Sequence, residues 1–115
     1  MAAIPLNRFR TITHTLDTST VGIYTCPPGV AALVVYGNVA NTGSGTSVTQ
    51  FTVSHNRGAV TTPIVAGYRI PSEDAANFID GRLVLETGDI LQIKGNQNNT
   101  MQCIISVLEL SLIHI

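Results

Sequence analysis

Charge is scarce in this chain. Asp, Glu, Lys and Arg supply 11% of its 115 residues, less than half of the roughly 25% usual in a soluble domain, and Lys94 is the sole lysine. The net charge is −1, so no long-range field selects a partner, and the basic stripe that holds nucleic acid is missing. Tryptophan is absent and the tyrosines are Tyr24, Tyr36 and Tyr68, too few for the stacking platform of a sugar-binding surface. No apolar run reaches the roughly 18 residues of a membrane-spanning helix. Met1 to Arg10 lacks the apolar core of a signal peptide, which predicts synthesis in a cytoplasm. Cys26 and Cys103 are the only thiols and form no Cys-x-x-Cys pair; they read as small buried hydrophobes. A disulfide between them stays open, although a cytoplasmic chain argues against it.

Chemistry is equally thin. His14, His55 and His114 are scattered, whereas a metal needs several donors at fixed distances. Gly43-Ser44-Gly45 is a flexible turn and not a nucleophile elbow. Glu73 and Asp74 diverge as neighbours and read as a solvated cap. Glu86 and Asp89 flank a turn, where Asp bonds nearby backbone amides; with Asp80 they lack the dense oxygen loop of a calcium site. The expectation is no enzyme, no metal and no cofactor.

Short strands and turns are abundant. Pro27-Pro28-Gly29, Asn56-Arg57-Gly58, Asp80-Gly81, Thr87-Gly88-Asp89 and Asn96 to Asn99 punctuate runs rich in Val, Ile, Leu and Thr. This spacing predicts a closed or two-layered all-β domain, and the expectation adopted is a single-domain antiparallel β-sandwich, jelly-roll-like, with about eight strands. One short helical turn is expected near 72–78, capped by Ser72. Segment 30–41 is apolar on both faces and predicts a strand covered on both sides. In 46–55, Phe51 and Val53 share one parity and Gln50, Thr52 and Ser54 the other, which marks one wet face. Pro63 demotes its strand to an edge or a bulge.

The ends are apolar. Residues 1–10 read as an arm carrying Ile4, Leu6 and Phe9 between Arg8 and Arg10, with the domain spanning 11–115. The final segment, 101–115, is apolar on both parities, so both faces should be covered. Fifteen residues at about 3.3 Å each span about 50 Å, more than a sandwich of this size is tall. A contact tail is therefore expected at 111–115. The predicted subunit or scaffold contacts are Ile4, Leu6, Arg8, Phe9, Arg10, Leu110, Leu112, Ile113 and Ile115. A weakly charged, Thr-rich β surface invites edge pairing and suits a subunit that works inside a larger assembly.

Three phrases line up in order: Ile23-Tyr-Thr-Cys-Pro-Pro-Gly-Val30 before a long apolar strand with Asn38 and Asn41, Gly81-Arg-Leu-Val-Leu-Glu-Thr-Gly-Asp-Ile-Leu91, and Ile105-Ser-Val-Leu-Glu109. Together the chain from about 20 to 115 resembles, at domain scale, small virion structural proteins of tailed bacteriophages, especially phages of cyanobacteria and other marine bacteria. That resemblance implies a β-sandwich without catalysis that assembles by repeated contacts in the virion. The expected role is a capsid decoration (cement) protein, with a trimer favoured and the major capsid protein as partner. A tail or baseplate component is the alternative. The resemblance transfers no contact residue.

Overall fold

The computed structural model describes residues 7–43 and 49–111. Nine strands follow one another: β1 (Asn7–Thr15), β2 (Val21–Thr25), β3 (Val30–Asn41), β4 (Thr49–Arg57), β5 (Val60–Ile70), β6 (Ala75–Asn77), β7 (Leu83–Leu85), β8 (Ile90–Gly95) and β9 (Met101–Ser111). They form two antiparallel sheets. One has the order β1-β9-β3-β6, with β7 also paired to β3; the other has the order β2-β8-β4-β5. Apart from the β4–β5 hairpin and the β6–β7 link, every connection crosses between sheets. This is the jelly-roll order, a double-sheet solution to covering two apolar faces. β6 meets β3 at Asn38–Ala40 and β7 meets it at Ala32–Val34, so together they occupy one edge position. That reconciles nine strands with the expected eight.

Alternation builds the core. Met101, Cys103, Ile105 and Val107 of β9 face Phe51 and Val53 of β4 and Leu91 and Ile93 of β8, all essentially without exposure. Fully burying each such apolar side chain contributes about 1.5–3 kcal/mol. Both cysteines are buried and unbonded to each other, and burial pushes the Cys103 thiol up to about 12. At one end the loops are zipped by main-chain bonds from Cys26 to Asp89 (2.9 Å) and from Gly88 to Cys26 (3.0 Å).

Three expectations need correction. The helical turn near 72–78 is instead a tight turn followed by β6. Glu73 takes a left-handed φ of 62°, which ends a helix before it starts. The Glu73 amide then donates to the Asn41 carbonyl, and the Asn41 amide to that of Asp74. Ser72 spends its hydroxyl on the Gly43 carbonyl and caps nothing. Pairing with β3 satisfies this backbone and buries Phe78 against Phe51, ring centroids 6.1 Å apart. Second, β1 begins at Asn7, inside the expected arm, because residues 7–10 pair in register with β9. Third, β3 and β9 are covered on one face only. Val35, Tyr36, Ile104 and Leu110 all remain exposed.

Candidate assembly surface

The uncovered face follows from strand parity. In β1, Arg8, Arg10, Ile12 and His14 turn toward the second sheet, so Asn7, Phe9, Thr11, Thr13 and Thr15 turn outward; all five are exposed, and of the inward four only Arg8, at the rim, is exposed as well. The pairing register then places Phe9 opposite Leu108, Leu108 opposite Leu33, and Leu33 opposite Val84. One apolar row thus crosses β1, β9, β3 and β7 on the outer face. Phe9 is 78% and Val84 58% exposed at its two ends. Leu110 lies above the row. Below it, a bulge between Val34 and Tyr36 presents both Val35 and Tyr36, and Ile104 follows. Farther along the same face, Thr13, Thr15, Asn38, Ala40, Gln102 and Ile104 line an open depression of about 560 Å³.

No charged side chain stands on this face in β1, β9, β3, β6 or β7. The outer face of the other sheet is different: Gln50, Thr52, Gln92 and Lys94 follow one another across β4 and β8, as the parity of Phe51 and Val53 predicts, whereas Ser54, expected on this wet face, is buried beside a register shift in the β4–β5 pairing. Clustered apolar exposure of this kind marks an interaction site, whereas single exposed hydrophobes do not.

The charges missing from the outer face are turned inward. Arg8 Nε lies 3.2 Å from Glu109 Oε1, and Arg10 donates to Glu109 Oε2 at 3.4 Å. The Tyr24 hydroxyl donates to the same Oε2 at 2.5 Å, under the Arg10 guanidinium. Burial, then the bond to the Glu109 carboxylate, holds the Tyr24 phenol above its ordinary range. This cluster ties β1 and β9 of one sheet to β2 of the other.

A second cluster sits at the same end of the sandwich. Arg57 grips buried Asp89 with two bonds, Nε to Oδ1 at 2.8 Å and a terminal nitrogen to Oδ2 at 2.6 Å. It also reaches Glu86 at 2.8 Å. His55 Nε2 lies 2.9 Å from Asp89 Oδ2, and the Glu86 amide donates to that oxygen. The Arg57 guanidinium holds the Asp89 carboxyl well below the usual carboxylate range. Both oxygens of this carboxylate accept from protein donors, Oδ1 from Arg57 and Oδ2 from Arg57 and the Glu86 amide, so its role is to close the 86–89 turn onto β4. Among the described residues, no group of three or more His, Cys, Asp or Glu side chains is placed to hold a metal.

The residues singled out by sequence therefore separate. Phe9 and Leu110 lie on the outer apolar face. Arg8 and Arg10 engage Glu109 of their own chain. Ile4, Leu6, Leu112, Ile113 and Ile115 lie outside the described residues. Leu33, Val84 and Leu108 were not singled out. The signal for Leu33 and Leu108 was the two-sided apolar character of 30–41 and 101–115; Val84 lies in neither segment, and joining the three into one row needs the register.

No family model and no curated protein matches the chain. Solved structures do share its fold. A structure of Bacillus endospore appendages, described as a novel family of disulfide-linked pili, superposes with a TM-score of 0.54 at 14% identity, covering 98% of each chain. The acidic stable capsid structure of Helicobacter pylori bacteriophage KHP30 contains a chain similar at TM-score 0.57 and 12% identity, over 96% of this chain and 92% of that one. A pentameric capsid protein isolated from metagenomic phage sequences is more distant, at TM-score 0.44 and 20% identity over 89% of this chain and 62% of that one, too far to carry an argument. At these identities the likeness establishes the jelly-roll fold alone.

Proposed function

We propose that the protein is a non-enzymatic structural component of a phage particle, and specifically a capsid decoration (cement) protein that self-associates on the head and stabilises it. The observation that carries this reading is the uncharged outer face with its Phe9–Leu108–Leu33–Val84 row. A chain with so little charge leaves such a face open when another surface covers it in the assembled state. Supporting it, the fold recurs in a phage capsid structure, and the sequence resembles virion proteins. Copies made in the host cytoplasm would bind weakly one at a time and firmly as a lattice, because simultaneous contacts multiply. A homotrimer docked on the major capsid protein is the arrangement that the resemblance favours.

Adding purified protein to expanded, undecorated heads should raise their melting temperature. Heads that neither bind it nor gain stability would exclude the cement role. A tail or baseplate position is the second reading, favoured by the recurrence of the fold in a pilus-type appendage. Gold-labelled antibody on tails and absent from heads would select it.

A further inference from the structure

Each sheet has two edges, and three of the four carry features that discourage strand addition. β5 contains Pro63, a left-handed Gly67 (φ 63°) and register shifts along its pairing with β4. β2 is five residues long and slips register between Gly22 and Tyr24. β6 and β7 are three residues each, separated by a bend that leaves no continuous edge. β1 has none of these. It runs nine residues without Gly or Pro and pairs with β9 in one unbroken register. Its two arginines lie on the inner side of the sheet and are held by Glu109, Arg8 with most of its side chain still exposed; they are the one edge-protecting feature that β1 carries.

The direction of its free backbone groups can be assigned. The Leu16 amide donates to the Met101 carbonyl at 2.9 Å, continuing the β1–β9 ladder. Antiparallel pairs alternate between bonded and non-bonded, so the even residues of β1 address β9. The N–H and C=O groups of Asn7, Phe9, Thr11, Thr13 and Thr15 point away from it, and no described strand receives them.

We infer that β1 is a self-pairing edge: a second copy of this chain adds its own β1 antiparallel, about a two-fold axis through Thr11. This register uses every free backbone group of the strand. Thr11 meets Thr11, Phe9 meets Thr13 and Asn7 meets Thr15; Thr–Thr cross-strand pairs are favourable. On the inner side Arg10 meets Ile12, so the arginines of the two copies never stand opposite one another. Arg8 of the second copy stands opposite His14, whose buried Nε2 has no partner among the described residues. Shifting the axis to Arg10 would instead set like charges face to face, which is destabilising. The joined sheet makes one outer apolar surface from two. This inference rests on the reading that the chain works as repeated copies. A two-fold edge contact and a three-fold contact coexist in any closed shell that has both kinds of axis.

The test uses the full chain. In a bonded antiparallel pair the facing Cα atoms are about 5.5 Å apart, with Cβ atoms wider than a direct disulfide prefers but within the span of a short bifunctional thiol reagent. Thr11→Cys should therefore give a covalent dimer with a short bis-maleimide, while Thr62→Cys on the β5 edge should not. Thr11→Lys and Thr11→Glu should each sediment as smaller species than the wild type, with unchanged circular dichroism, and an equimolar mixture should recover the larger one. A Thr11→Cys protein that crosslinks no better than Thr62→Cys, or a Thr11→Lys protein that sediments like the wild type, overturns the pairing. Failure here with head binding intact removes only this contact. Crosslinking with no head binding keeps the contact and removes the decoration role.

Discussion

Glu109 is a carboxylate in the interior, its side chain 8% exposed, met by Arg8, Arg10 and Tyr24. Asp89 is more deeply buried and more fully bonded. Both hold loops and edges in place where an apolar residue would pack but not orient. Asp89 also has a pH signature. Its pKa in the fold lies below the unfolded value near 3.9, so it adds stability above about pH 4 that is lost as pH falls below that. Asp89→Asn should destabilise the protein by about 1–2 kcal/mol at pH 7, discounted because Arg57 is half exposed. Urea unfolding at pH 7 and pH 3 should show the gap to wild type narrowing in acid. A gap of constant size would mean that the charge is irrelevant. The bond from Asp89 to the Glu86 amide was legible in Thr87-Gly88-Asp89. Its partners His55 and Arg57 were not, because they stand more than thirty residues away in sequence and reach it only across the β4–β8 pairing.

At the level of elements, β3 organises the molecule. It pairs with β9, β6 and β7, and its bulge at Val34/Tyr36 changes the facing so that Gly37 turns inward beneath Phe78. A Cβ at Gly37 would stand 2.6 Å from the Phe78 ring. Gly37→Ala should therefore cost about 1–3 kcal/mol by overpacking, measured by denaturant titration. Phe78→Leu should recover part of that loss in the double variant, and additivity of the two losses would show that the contact does not matter. The segment before Phe78 shows why local propensity misled. Ser72, Glu73, Asp74 and two alanines read as a capped helical turn. The free edge of β3 offered that backbone a ladder and Phe78 a buried site, and tertiary pairing outweighs a propensity difference of a few tenths of a kcal/mol.

For the whole molecule, the asymmetry between its two outer faces decides how it can associate. One is uncharged with an apolar row; the other is polar and carries Lys94. Phe9→Asp and Val84→Asp, both at exposed positions, should leave the melting temperature within a few degrees, since surface changes of this kind move stability by about 0.5 kcal/mol. Together they should abolish association in sedimentation velocity experiments and binding to heads. Retained assembly would move the contact surface elsewhere. Much of this molecule was determined by the order of residues alone: an all-β sandwich, the positions of most strands, the inward parity of Phe51 and Val53, the edge character of the Pro63 strand. Side-chain alternation and turn chemistry are local, so a single stretch of chain expresses them. Only the tertiary structure decided strand order, register, the inward turn of Arg8 and Arg10, and the meeting of Phe9, Leu108, Leu33 and Val84 in one row. Those four residues come from four strands, and nothing within any one strand specifies which neighbour it will find or which residue will stand opposite.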